Sequence, residues 1–229
     1  MVKTSNPQPS ADPSPILNGP YDAPAWHYAT AEDGSLDYER PLPGRRIFAT
    51  QTPQVPLGRQ PQGSLYDLND FAAEYREQLV NLVREQVERW RQADYPGVTS
   101  RVTRDLLTYW FANPQRPDHK KLFFAQREAV EAAIWLNEVA PKSNVGSHVL
   151  EQLRLAQHTV DDPASVLPRI GFKMATGTGK TVVMACLLLY HYLNRSEYRN
   201  DPRYADYFLI VAPGVTIRDR LNVLRVDTQ

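Results

Sequence analysis

The chain has 229 residues, enough for one or two ordinary domains with a real core. With 42% hydrophobic and 23% charged residues it reads as globular, which excludes a chain disordered throughout. Lys+Arg and Asp+Glu both number 26, so net charge selects no partner, and a nucleic acid needs only a local basic groove.

Residues 1–63 form a leader that holds eleven of the 19 prolines. Each proline removes a backbone donor, so neither a helix nor a central strand is expected to run through, and the leader reads as largely irregular. Its start, Met1-Val2-Lys3-Thr4-Ser5-Asn6-Pro7, has no apolar run of the secretory kind. One island, Ile16-Leu17-Asn18-Gly19-Pro20-Tyr21-Asp22-Ala23-Pro24-Ala25-Trp26-His27-Tyr28, is too aromatic for a free tail and is expected to dock on something.

A helical region follows over 64–117. Asp70 is a plausible N-cap, and Phe71, Tyr75, Leu79, Leu82, Val83, Val87 and Trp90 make one apolar stripe that Tyr95-Pro96-Gly97 stops. A second helix fits residues 99–112, with Val102, Leu106, Tyr109 and Trp110 inward, before Asn113-Pro114. A third fits 123–139 and closes at Pro141.

The last region is read as residues 118–229, and after residue 163 the pattern changes. Arg169-Ile170-Gly171-Phe172-Lys173-Met174 reads as a short buried strand, 180–193 as a helix, and Tyr207-Phe208-Leu209-Ile210-Val211-Ala212-Pro213 as a second buried strand. Strand, loop, helix and strand make a βαβ unit, so the expected fold class is α/β with a parallel sheet. Cys186, the only cysteine, lies in Val182-Val183-Met184-Ala185-Cys186-Leu187-Leu188-Leu189 and reads as a buried structural thiol. The longest apolar stretch, 182–190, falls short of the ~20 residues of a membrane span, and a cytoplasmic location is expected.

Between the two expected strands lies Met174-Ala175-Thr176-Gly177-Thr178-Gly179-Lys180-Thr181, a phosphate-binding P-loop. Its backbone N–H groups are expected to turn inward around phosphates at the positive end of the following helix. Thr176, Gly177, Thr178 and Gly179 form the cradle, with the two glycines supplying backbone freedom. Lys180 addresses the β- and γ-phosphates, and the Thr181 hydroxyl ligates Mg²⁺. The strict pattern places glycine at 174, where this chain has Met174. The expected ligand is ATP with Mg²⁺, and Lys180 and Thr181 are the candidate catalytic residues. His27, His119, His148, His158 and His191 lack metal-site spacing, and Asp161-Asp162 before Pro163 reads as a loop.

The Thr-Gly-Thr-Gly-Lys-Thr run resembles motif I of superfamily-two helicases, of the DEAD/DEAH-box type, built on a RecA-like domain. Phe124-Ala125-Gln126-Arg127-Glu128-Ala129 resembles their glutamine motif, which implies that Gln126 contacts the adenine edge. Val211-Ala212-Pro213-Gly214-Val215-Thr216-Ile217-Arg218-Asp219-Arg220-Leu221 resembles motif Ia, which implies nucleic-acid backbone contacts at Thr216 and Arg218. With the 16–28 island, these segments resemble the Res subunit of type III restriction enzymes. That resemblance implies an ATP-dependent DNA translocase subunit, an ATP hydrolase working beside a methyltransferase subunit. No Asp-Glu pair of the motif II kind occurs in the 229 residues, so the expectation is an N-terminal fragment that binds ATP with little turnover of its own. The alternative is a truncated, inactive module that binds a nucleotide or a partner.

Overall fold

The computed structural model describes residues 16–31, 35–47, 65–117, 120–157, 169–212 and 214–224, without the side chains of 65–78, 156–157, 216, 220 and 223. The expectations for Phe71 and Tyr75, His119, His158, Asp161-Asp162, Pro213 and the Thr216 side chain therefore lie outside the described residues.

Six α-helices and one β-hairpin make up the described body. Strands β1 (Trp26–Thr30) and β2 (Leu36–Pro43) pair antiparallel inside the leader. The proline argument excludes a central strand, and a two-stranded ribbon consists of edges alone. Pro41 and Pro43 face Tyr28 and Trp26 at alternate positions, where a missing donor can point to solvent. A register shift between Tyr28 and Ala29 accommodates the turn of the ribbon.

Helix α1 (Leu65–Gln92) starts before Asp70, which lies within it rather than capping it. Its C-terminus is a sharp one. Asp94 and Tyr95 both adopt left-handed conformations, and the Tyr95 amide returns to the Trp90 carbonyl. The strain at Tyr95 is offset by its ring, which lies edge-on to Trp90, and by its hydroxyl, which donates to Glu131 at 2.6 Å.

Helix α2 (Arg101–Leu107) is capped by Ser100, whose hydroxyl accepts from the Thr103 amide, and it widens into a π-turn over Thr108–Ala112. Leu107 and Trp110 turn inward, but Tyr109 is 58% exposed, contrary to its place in the expected stripe. The wider π-turn rotates it out of the helical period and against Arg116, whose guanidinium lies 5.2 Å from the ring centre.

Helix α3 (Phe124–Ile134) continues as a π-turn to Val139 and a short 3₁₀ turn through Pro141. Helix α4 (Asn144–Gln157), which was not among the expected helices, packs on α1. Helix α5 (Lys180–Glu197) packs on both α2 and α3. Val87, Trp90, Leu107, Ile134, Trp135, Val149 and Tyr190 fill the centre between these helices.

The expected parallel sheet is not present among the described residues. Residues 169–175 and 205–212 carry no strand, and Tyr207, Leu209 and Val211 are 90%, 90% and 81% exposed. The physical reason is pairing. A strand buried on both faces needs neighbours to take up its amides and carbonyls, and the described residues offer no further strand. Helix α6 (Val215–Arg220) and a 3₁₀ turn over Leu221–Leu224 follow, the turn resting on α5.

Candidate functional site: the glycine loop at the head of α5

Gly179 is the residue before α5 and sits in the left-handed region at φ 77°, ψ 43°. Gly177 is left-handed too, at φ 79°. A Cβ at Gly177 would meet nothing within 4 Å, whereas one at Gly179 would fall 2.2 Å from the Gln126 amide nitrogen. Glycine at 179 is thus demanded twice, by backbone conformation and by close approach.

Ala175 is the acceptor at the centre of the loop. Its carbonyl takes the Thr178 hydroxyl at 2.7 Å and the Lys180 ammonium at 2.9 Å. The ammonium is therefore folded back onto the loop that begins an 18-residue helix, where the helix dipole favours an anion. Thr181 lies half-buried one residue on.

Gln126 ties this loop to α3. Its amide oxygen accepts from the Phe123 N–H at 3.0 Å, reaching back over the first turn, and its amide nitrogen donates to the Thr178 carbonyl at 2.8 Å. The side chain is buried. The sequence resemblance put Gln126 beside a base, and the structure ties it to the glycine loop.

The leader docks where Gln126 starts. The Phe124 amide donates to the Pro20 carbonyl at 2.8 Å, Tyr21 packs on Phe123 with ring centres 5.4 Å apart, and Arg45 pairs with Glu128 two residues along α3. Asn18 fixes the entry: its side-chain oxygen accepts from the Ala25 and Trp26 amides and its nitrogen donates to the Trp26 carbonyl. The aromatic island is docked, as expected.

Behind the loop, α5 is held by a polar network that the sequence did not reveal. Glu138 is fully buried, and one of its carboxylate oxygens accepts from the hydroxyls of Thr103, Tyr190 and Tyr204. Asn194 donates to Thr103 at 3.0 Å and to the Tyr190 carbonyl at 2.8 Å. Burial first, then the Glu138 charge, holds both phenols well above the ordinary tyrosine range. Glu131, one heptad earlier, is likewise buried and takes Arg91, Arg127 and Tyr95. Neither carboxylate stands out by composition, because the partners come from four separate stretches. Cys186 is buried as expected, and that burial pushes its thiol up to about 11.

Arg218 is exposed on α6, with the Asp219 carboxylate 3.5 Å away, and lines a cleft with Phe208, Ile210 and Leu221. Among the described residues, no cluster of His, Cys, Asp or Glu could hold a metal ion, and no helix is long and apolar enough to cross a membrane.

Residues 119–223 match the type III restriction enzyme, res subunit, family. The matched stretch contains the glycine loop, Gln126 and α6, and it leaves out the 16–28 island, on which the resemblance also drew. The res-subunit family comprises helicase-like, ATP-dependent restriction subunits. No curated protein and no solved structure matches the chain.

Proposed function

We propose that this chain binds ATP on the Thr176–Thr181 loop, as the nucleotide-binding part of a DNA-translocating restriction subunit. The observation that carries the reading is the loop itself. Two left-handed glycines shape the turn at the head of α5, open space lies beside Gly177, and the Lys180 ammonium is folded back onto the Ala175 carbonyl. The loop, its lysine and the helix start suit a polyphosphate, and bound ATP supplies a phosphoanhydride whose cleavage releases energy. Thr176, Gly177, Thr178 and Gly179 cradle the phosphates, Lys180 trades the Ala175 carbonyl for a phosphate oxygen, and Thr181 offers its hydroxyl to Mg²⁺. Lys180 and Thr181 are the residues assigned to the chemistry.

Gln126 has one amide hydrogen and further acceptor capacity beyond its two described bonds, which suits the adenine edge. Thr216 and Arg218 of α6 are assigned to a nucleic-acid backbone, and a methyltransferase subunit is the proposed partner. The exposed position of Arg218 supports its assignment. Titration of labelled ATP into the wild-type chain and Lys180→Ala tests the reading. Saturable binding that the substitution weakens at least tenfold is expected, and equal affinity in both would end it.

A further inference from the structure

The leader and the glycine loop meet at the first turn of α3. The amides of Phe123 and Phe124, at the start of that helix, have no helical carbonyl to donate to, and they find acceptors on different sides. Phe123 donates to the Gln126 amide oxygen at 3.0 Å, and Phe124 donates to the Pro20 carbonyl of the leader at 2.8 Å. Asn18 closes the turn that carries Pro20 by accepting from the Ala25 and Trp26 amides. Tyr21 lies within that turn, its ring centre 5.4 Å from that of Phe123 and the two planes inclined at 50°.

Neither ring is sealed off by this contact. Tyr21 is 43% exposed and Phe123 is 36% exposed. Two aromatics held against each other yet part-open leave ring surface for a third planar group. They also stand in an ordered succession with the glycine loop. Lys180 and Thr178 share the Ala175 carbonyl, the Thr178 carbonyl takes the Gln126 amide nitrogen at 2.8 Å, Gln126 reaches Phe123, and Phe123 meets Tyr21. A purine nucleotide presents its parts in the same order, with phosphates at one end and the base at the other.

We infer, on the reading that the glycine loop holds ATP, that Tyr21 stacks on the adenine ring and that the leader thereby completes the nucleotide site. Tyr21 lies outside the 119–223 stretch that matches the res-subunit family. Gln126 addresses the edge of the base, and Tyr21 covers its face. Stacking tolerates any base, because every base has a π-face, so Tyr21 contributes affinity and Gln126 contributes preference.

Titrations of the full chain with ATP, GTP, adenosine and tripolyphosphate, which has no base, test this division. Tyr21→Leu keeps an apolar side chain against Phe123 but removes the ring face. It is expected to weaken ATP, GTP and adenosine by one common factor, roughly fivefold or more, as for the loss of one base–aromatic contact. Tripolyphosphate affinity should stay at the wild-type value. Tyr21→Phe, which keeps the ring, should bind all four as the wild type does. An ATP analogue with a fluorescent purine should be quenched at saturation by the wild-type chain and less by Tyr21→Leu. Unchanged ATP and adenosine affinities in Tyr21→Leu overturn the inference. An equal loss for tripolyphosphate also overturns it, because Tyr21 would then only hold the leader on α3. Lys180→Ala keeps the two readings apart: if it weakens ATP and tripolyphosphate while Tyr21→Leu changes nothing, the loop still binds ATP and Tyr21 is not part of the site. A wild-type chain that binds neither ATP nor tripolyphosphate ends both.

Discussion

At the scale of single residues, the glycine loop was legible because its chemistry is local. Lys180, Gly177 and Gly179 had to be those residue types at that spacing, and the structure gives both glycines left-handed conformations at the head of a helix. Gln126 was legible as a residue of interest but not in its contacts, since Thr178 is 52 positions away. This double attachment separates two substitutions. Lys180→Ala should reduce affinity for ATP far more than for adenosine, because the ammonium reaches only phosphates. Gln126→Ala should erode the preference for ATP over GTP and also weaken triphosphate binding, because the Thr178 carbonyl loses its restraint. Competition titrations with ATP, GTP and adenosine read both effects. An unchanged ATP-to-GTP ratio in Gln126→Ala would remove that residue from base recognition.

At the scale of elements, helices with apolar periodicity were read from sequence within a few residues, and the misses have specific causes. Helix α4 has a short apolar side interrupted by Gly146, yet that glycine is what lets it start. A Cβ there would meet the Ala140 backbone at 2.3–2.7 Å. Gly146→Ala should therefore destabilise the fold by about 1–3 kcal/mol, the usual cost of overpacking, read as a drop in denaturation midpoint. A gain in stability, as expected for alanine in an unconstrained helix, would show that the backbones separate freely.

Helix α5 carries a second test. The ring of His191 is packed against Tyr190, Tyr204 and Phe208, its Nδ1 is buried with no hydrogen-bond partner among the described residues, and burial holds it below the ordinary histidine value. The unfolded chain takes up a proton as pH falls through ~6.5 while the folded one resists, so stability present above that value is lost below it. Replacing the ring with an uncharged aromatic, His191→Phe, should shrink the fall in melting temperature between pH 7.5 and 5.5. Identical falls in the two proteins would contradict this.

At the scale of the whole molecule, the expected α/β sheet and the observed helical body part company over one requirement. Residues 205–212 have the composition of a buried strand, but composition cannot supply the neighbours that pair a strand. The docking of the leader was likewise only half visible: aromatic content marked the island, but its Arg45–Glu128 anchor joins residues 83 apart. That anchor has a consequence at long range. The leader grips the first turns of α3 through Pro20, Tyr21 and Arg45, and the same turns hold the glycine loop through Gln126. Removing Glu128 leaves a half-buried guanidinium beside Arg84 without its carboxylate. A charge-assisted bond of this kind contributes about 1.5–3 kcal/mol, so Glu128→Ala should lower stability by that order. Because α3 is shared, it should also weaken ATP binding, though Glu128 itself faces the leader and not the loop. A double-mutant cycle with Arg45→Ala isolates the pair from effects of each change alone. If leader and loop are coupled, the two substitutions are non-additive in both the denaturation midpoint and the ATP affinity. Non-additivity in stability with no change in affinity would mean that the leader braces α3 without reaching the glycine loop.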